Sequence, residues 1–171
     1  YSIGDSAHSA ELFKFGASLL LGDITSNTTP RTITFNQPFE FNAPVNFEIA
    51  STGENANTWE VNTNNYDLTF ANGSSLIVDS RAARTVYFNA GTSNITFTGG
   101  GTLTIQGAGT TTFDATNANL SLNNLTLAAG GTLDAPGSAK TFEVTGTWNR
   151  TGGTFNHNSA AVSFTGGDQS I

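Results

Sequence analysis

Few residues in this chain are of types that do covalent chemistry. The densest charged set is Asp79-Ser80-Arg81-Ala82-Ala83-Arg84. A carboxylate beside a guanidinium can abstract a proton. With a second carboxylate at a suitable separation it can cleave a glycosidic bond. The same residues also read as a corner held by exposed ion pairs, which add little stability. Glu40, Glu48, Glu60, Asp67 and Glu143 alternate with apolar neighbours, so they are expected to point outward without converging. His8 and His157 are the two histidines, and Asn156-His157-Asn158 reads as an exposed turn. A zinc centre needs several ligands of suitable type, and no such set is present. Gly99-Gly100-Gly101-Thr102-Leu103-Thr104 lacks the Asp of calcium-binding glycine-rich repeats. Neither a Walker lysine pattern nor a strand-to-helix glycine fingerprint occurs. The sequence therefore assigns no catalytic residue, cofactor or metal ligand, and the chain is expected not to be an enzyme.

Binding is the other chemistry to consider. Trp59, Tyr66, Tyr87 and Trp148 could offer ring faces to sugars, and the same residue types suit half-buried strand ends. Asn-x-Ser/Thr sequons at Asn27, Asn72, Asn94, Asn119, Asn124 and Asn149 are glycosylation candidates, although several arise by chance in a chain this rich in Asn and Thr. Thr-x-Thr pairs begin at Thr32, Thr96, Thr102, Thr110 and Thr145, separated by 64, 6, 8 and 35 residues. That spacing is not one pair per repeat. β-Propensity accounts for the threonine without an ice-binding face.

The elements that position these residues follow from composition and period. The chain has 171 residues, of which 27 are Thr, 19 Asn and 19 Gly. Only 11% are charged, against about 25% in typical soluble domains. Hydrophobic residues make up 37%, with 13 Phe, which is too apolar for an ordinary disordered segment. Net charge is −7, and the basic residues Lys14, Arg31, Arg81, Arg84, Lys140 and Arg150 are scattered, which argues against nucleic-acid binding. The absence of Cys and Met excludes a disulfide framework and fits oxidising, protease-rich surroundings. The longest apolar run, Leu19-Leu20-Leu21, is far short of the roughly 20 residues that span a bilayer. A chain opening on Tyr is expected to be a processed or excised product.

From Thr32 onward the apolar period is two. Short segments ending at Phe35, Phe41, Ile49, Val61, Phe70, Val78, Phe88, Phe97, Ile105, Phe113 and Leu122 alternate large apolar residues with Thr, Ser, Asn or an acid. Gly, Asn, Asp and Pro separate them. First members ending at Phe35, Val61, Phe88 and Phe113 lie 26, 27 and 25 residues apart. Second members at Phe41, Phe70, Phe97 and Leu122 lie 29, 27 and 25 apart, and third members at Ile49, Val78 and Ile105 lie 29 and 27 apart. Three series with nearly one period predict a parallel β-helix, a β-solenoid of about five rungs of three short strands. An antiparallel β-sandwich is the competing architecture. The period is lost after Leu122. Residues 1–24 read as a separate cap or intersubunit contact segment and residues 25–171 as the solenoid domain. The apolar spacing predicts a short cap helix over residues 6–21, with a strand as the alternative.

Gly101-Thr102-Leu103-Thr104-Ile105, Gly131-Thr132-Leu133-Asp134, Gly146-Thr147-Trp148 and Gly153-Thr154-Phe155, with the final ten residues, resemble phrases of secreted bacterial β-helix surface proteins. These include adhesins, autotransporter passengers and filamentous-haemagglutinin-like proteins. The resemblance covers roughly residues 85–171. It implies an extracellular or cell-surface right-handed β-helix with a structural or adhesive role, and carries over no catalytic residue. A carbohydrate-binding or carbohydrate-active β-helix is the alternative, with glycans as partners. Nothing after Val162-Ser163-Phe164 reads as a cap, and Asp168 alone would protect that edge. Self-association is expected through Leu12, Phe13, Phe15, Leu19 and Leu20 at one end and Val162 and Phe164 at the other, giving a head-to-tail oligomer or filament.

Overall fold

The computed structural model of the chain describes residues 2–4, 12–23, 31–49, 58–81 and 84–166. These residues form three sheets. The first contains β1 (Ser2–Ile3), β4 (Arg31–Phe35), β7 (Thr58–Asn62), β10 (Thr85–Asn89), β13 (Thr110–Asp114), β16 (Gly131–Asp134) and β19 (Thr154–Asn156). The second contains β2 (Phe13–Phe15), β5 (Phe39–Phe41), β8 (Leu68–Phe70), β11 (Asn94–Phe97), β14 (Asn119–Leu122), β17 (Phe142–Val144) and β20 (Val162–Phe164). The third contains β3 (Leu19–Asp23), β6 (Val45–Ile49), β9 (Leu76–Ser80), β12 (Thr102–Gly107), β15 (Asn124–Leu127) and β18 (Trp148–Arg150).

Each strand pairs with the strands three positions before and after it, always in parallel. This is a β-solenoid with three strands per turn. The one antiparallel contact among the described residues is the isolated bridge between Gly137 and Ser159, so the sandwich alternative is excluded. β4–β20, seventeen strands at three per turn, supply between five and six turns, against about five rungs expected, and β1–β3 lie ahead of them in the same sheets. No helix occurs among the described residues. Residues 6–11 of the expected cap helix lie outside them, and the remainder forms β2 and β3 instead. Parallel pairing explains this: Phe13 and Phe15 stand in register with Phe39 and Phe41, and Leu19 with Val45. A neighbouring rung prevails over a marginal local helical spacing.

Burial follows the period of two. Phe35, Phe41, Val61, Phe70, Val78, Phe88, Phe97, Ile105, Phe113 and Leu122 are all buried, as the alternation predicts. They stack rung upon rung. Phe41, Phe70 and Phe97 form a column with ring centroids 5.1 and 4.5 Å apart, and Phe88 and Phe113 lie 4.6 Å apart. Burial of one such side chain stabilises by roughly 1.5–3 kcal/mol.

Two register assignments shift. Ile33, not Phe35, pairs with Val61, and Phe47, not Ile49, pairs with Val78. In each case the first turn is two residues out of the sequence-based alignment, a shift that a sequence period of two does not reveal. The period lost after Leu122 is also explained. Phe88 follows Val61 by 27 residues, but Leu133 follows Phe113 by 20 and Trp148 follows Leu125 by 23. The later corners are shorter; Asn123 alone joins β14 to β15.

Side-chain ladders fix the corners. Asn94 donates its amide Nδ2 to Asp67 Oδ2 at 2.9 Å, Asn119 Nδ2 donates to Asn94 Oδ1 at 2.8 Å, and Thr141 N–H donates to Asn119 Oδ1 at 3.0 Å. Inside a second corner, buried Ser93 Oγ donates to Thr63 Oγ1 at 2.7 Å, and Thr63 Oγ1 donates to the Ala90 carbonyl at 2.8 Å. Gly101 is required by close approach: a Cβ there would stand 2.0 Å from the Ser74 carbonyl oxygen of the preceding rung.

Candidate functional site

Asp79 and Arg81 of the charged cluster singled out by the sequence meet in the fold. Asp79 is the fourth residue of β9. Leu76 and Val78 point inward beside Leu103 and Ile105, so Asp79 takes an outward position, in register with Gln106. Yet Asp79 is only 7% exposed. Gln106 Nε2 donates to Asp79 Oδ2 at 2.9 Å, and Arg81 Nε lies 3.7 Å from the same oxygen. Arg84 is buried, at 3% exposure. A groove of about 380 Å³ opens beside these groups, lined by Asp79, Arg81, Gln106, Gly107, Ala108, Ala128 and Ala129. It spans β9, β12 and the residues following β15, three successive turns of one sheet. Below it, Thr111 Oγ1 donates to Ser80 Oγ at 2.9 Å and accepts from Ser80 N–H at 3.0 Å, which fixes the end of β9.

The groove brings a single carboxylate together with polar donors, which is half of what glycosidic cleavage by paired carboxylates requires. The other candidate acids lie apart. Glu40 and Glu143 share one outward column of the second sheet but sit four strands apart, roughly 19 Å at 4.8 Å per strand. Hydrogen bonds from Asn42 and Lys14 hold the Glu40 carboxyl below its usual range. Asp67 is engaged by Asn94. No group of three or more potential metal-binding side chains is found among the described residues.

Sequence reasoning did not find the pairing of Asp114 with Asp134 on adjacent strands of the first sheet. Tyr87 donates its hydroxyl to Asp114 Oδ2, and Thr116 N–H donates to Oδ1 at 3.0 Å. Burial pushes the Asp114 carboxyl up, but these bonds outweigh it and the net displacement is downward, so it stays ionised. Burial, then the Asp114 hydrogen bond, pushes the Tyr87 phenol up. The pair acts as a fixed acceptor and donor. Its only sequence signal is one outward column, Tyr87-Thr112, flanked by Asn89-Asp114-Asp134, which becomes visible once the register is known.

The aromatic candidates divide. Trp59 and Trp148 are 7% and 8% exposed, so both point into the core and offer no open ring face. The Arg31 guanidinium lies 5.7 Å from the Trp59 ring, and Trp148 packs edge-on against Phe155 at 5.0 Å. Tyr66, in the connection between β7 and β8, and Tyr87, in β10, are both half-buried. His157 is exposed and accepts the Ser159 N–H at Nδ1, 3.3 Å away, in the turn the sequence indicates.

The sequons divide as well. Asn27 lies outside the described residues. Asn72, Asn94, Asn119 and Asn124 each spend Nδ2, the atom a glycan would need, on a corner hydrogen bond. Asn149 is exposed on β18 and its amide belongs to no such ladder.

The terminal strands hold the remaining candidates. Leu12, Phe13 and Leu20 are exposed by 49%, 44% and 58%, while Phe15 and Leu19 are half-buried against the core. At the other end Val162 and Phe164 are half-buried, and Phe164 meets Trp148 at 5.9 Å. Among the described residues nothing pairs with the outer edges of β2 and β20. One protective residue escaped the sequence reading. Arg150 occupies the inward column of Val78, Ile105 and Leu127, yet it is exposed and folds onto the carbonyls of Gly152 and Gly153 at 3.4 and 3.1 Å. An inward charge on the last strand of the third sheet discourages further pairing there.

No protein-family description, curated protein or solved structure matches the chain. The reading of function therefore rests on its own geometry.

Proposed function

We propose that the chain is a non-enzymatic extracellular structural protein, a β-solenoid module of a surface adhesin or self-assembling filament that joins further copies head to tail. One observation carries this reading. β2 and β20 are the two outer strands of the same sheet, and each is an apolar-polar-apolar triplet continuing the same columns. A second copy whose β2 follows β20 would set Phe13 over Val162 and Phe15 over Phe164, as Phe13 stands over Phe39 and Phe15 over Phe41 within one chain. Such a contact repeats without closing and yields a fibre. The first and second sheets carry it; among the described residues the third has one strand fewer, and its outer strand at that end carries Arg150. An extracellular setting agrees with the absence of Cys and Met and the few lysines.

Sedimentation of the intact chain over a concentration series tests this reading. Mass should grow with concentration, and Phe13→Asp should abolish the growth while leaving the circular dichroism of the folded chain in place. A monomer at every concentration sinks the proposal.

A further inference from the structure

An N-glycan is carried on the Asn Nδ2 and is bulky, so the acceptor tripeptide has to stand at the surface. In four of the five sequons within the described residues Nδ2 already donates: Asn72 to Asn42 Oδ1 at 2.6 Å, Asn94 to Asp67 Oδ2 at 2.9 Å, Asn119 to Asn94 Oδ1 at 2.8 Å and Asn124 to the Gly100 carbonyl at 2.9 Å. Each of the four also buries another of its three residues, respectively Ser74, Ile95, Leu120 and Leu125, at 1% exposure or less. Asn149-Arg150-Thr151 meets neither obstacle. All three residues are exposed, Asn149 points outward in register with Thr126, and its Nδ2 makes no hydrogen bond among the described residues. Asn149 stands mid-strand on β18, the outer strand of the third sheet among the described residues, where no further rung claims its amide. A terminal rung also opens locally at lower cost than an interior one, which lets this tripeptide leave its pairing to meet an enzyme.

We propose that Asn149 is the N-glycan acceptor that the folded chain presents. The donor is an activated sugar, a glycosyl diphosphate carried on a nucleotide or a lipid. Asn149 Nδ2 bonds to the anomeric carbon of the sugar while the bond from that carbon to the diphosphate oxygen breaks. The diphosphate leaves with the electron pair, and one Nδ2 proton passes to a base of the transferase. The glycan then stands on the outward face of the third sheet beside Thr126, and its attachment breaks no hydrogen bond among the described residues. At Asn94 or Asn119 the same reaction would have to displace a ladder bond and lift a strand whose central residue is fully buried.

Asn149 lies in a different sheet from β2 and β20, so this inference stands apart from the stacking reading, and its test reads mass at one residue and not assembly. The folded chain from a host without N-glycosylation would be incubated in two arms, one with UDP-glucose and a soluble N-glycosyltransferase, the other with lipid-linked oligosaccharide and detergent-solubilised oligosaccharyltransferase. Modified residues would be read by mass spectrometry. Peptides cut from the same chain after glutamate, treated alike, give the reactivity of each tripeptide without the fold. In the peptides all five sequons should react. In the folded chain Asn149 should react faster than Asn72, Asn94, Asn119 and Asn124 by roughly tenfold or more, because those four need an interior rung to open first. The arm with the larger yield identifies the donor. Asn149→Gln and Thr151→Ala should each remove the fast reaction and leave the urea midpoint in place, since both side chains are exposed. An Asn149 that stays unmodified in the folded chain in both arms, or that reacts no faster than the four ladder asparagines, would overturn the proposal. A midpoint lowered by Asn149→Gln would overturn it too, by showing the amide already engaged.

Discussion

Truncation of Phe70 tests the column directly. Phe70 is fully buried and lies between Phe41 and Phe97, at 5.1 and 4.5 Å between ring centroids. Phe→Ala in a packed core commonly costs about 3–5 kcal/mol, and each stacked aromatic pair contributes about 0.5–1.5 beyond area burial. Because β8 is paired with β5 on one side and β11 on the other, relaxation into the cavity is limited, and a loss of about 4–5 kcal/mol is expected. That is a large part of the ~5–15 kcal/mol that holds a typical domain folded. Phe164, half-buried on the last strand, should cost only about 1–2 kcal/mol on the same change, since a terminal rung can fray alone. Urea unfolding followed by circular dichroism would measure both, with hydrogen exchange reporting which rungs open. A loss below about 1 kcal/mol for Phe70→Ala, or an equal loss at Phe164, would refute the column and its one-dimensional energetics.

Other consequences follow from the corners and the first sheet. Gly101→Ala should destabilise strongly, by ~2 kcal/mol or more, because the obstructing atom is the Ser74 backbone carbonyl and not a flexible side chain; an unchanged urea midpoint would contradict it. Asn119→Ala removes both an acceptor for Thr141 N–H and a donor to Asn94, and about 1–2 kcal/mol should be lost at this half-exposed ladder, read in the same assay. Tyr87→Phe tests the bond to Asp114. The Asp114 carboxyl is displaced downward in the fold, so its stabilisation is present above the unfolded value near 3.9 and is lost as pH falls through the lower folded value. The variant should therefore be less stable than the parent by about 1 kcal/mol at neutral pH, and the gap should close as pH falls through the lowered Asp114 value. A gap that persists unchanged in acid would show that the hydroxyl acts by packing alone.

How much of this was legible follows from what each residue reports. Phe88, Phe97 and Phe113 announce a half-buried strand by simple alternation, and their near-constant spacing announces stacking. Ile33 and Phe47 could not be placed, because alternation is blind to a shift of two residues, and only backbone pairing distinguishes Ile33 from Phe35. The rungs after Leu122 lost their period because corner length is set by local turns such as Asn123 and not by the core. Phe13 and Phe15 read as helix because Leu12–Phe15–Leu19 and Phe13–Ala17–Leu20 suit a helical face; their true partners lie 26 residues away. The site was half legible. Asp79 and Arg81 were visible as a cluster, but Gln106 joins them only across a full turn, 27 residues on. The tryptophans misled because an aromatic in a strand looks the same whether it faces in or out. Arg150 misled in the opposite sense, since its inward column is evident only once Leu127 is known to lie beside it.

Head-to-tail stacking is the central functional claim, and the chain's lack of cysteine allows a site-specific test. Lys14 is in register with Glu40 in the outermost pair of the second sheet, and Ser163 is in register with Glu143 at its other end. A chain carrying both Lys14→Cys and Ser163→Cys, treated with a short bismaleimide at concentrations where it associates, should form a ladder of covalent multimers, because stacked neighbours would hold the two positions on adjacent strands about 4.8 Å apart. Either single variant should stop at dimers or below, and Phe13→Asp in the double-cysteine background should remove the ladder. A double-cysteine chain that stays monomeric, or that links no better than a chain with its thiols at Lys14 and the mid-column Thr96, would contradict end-to-end association.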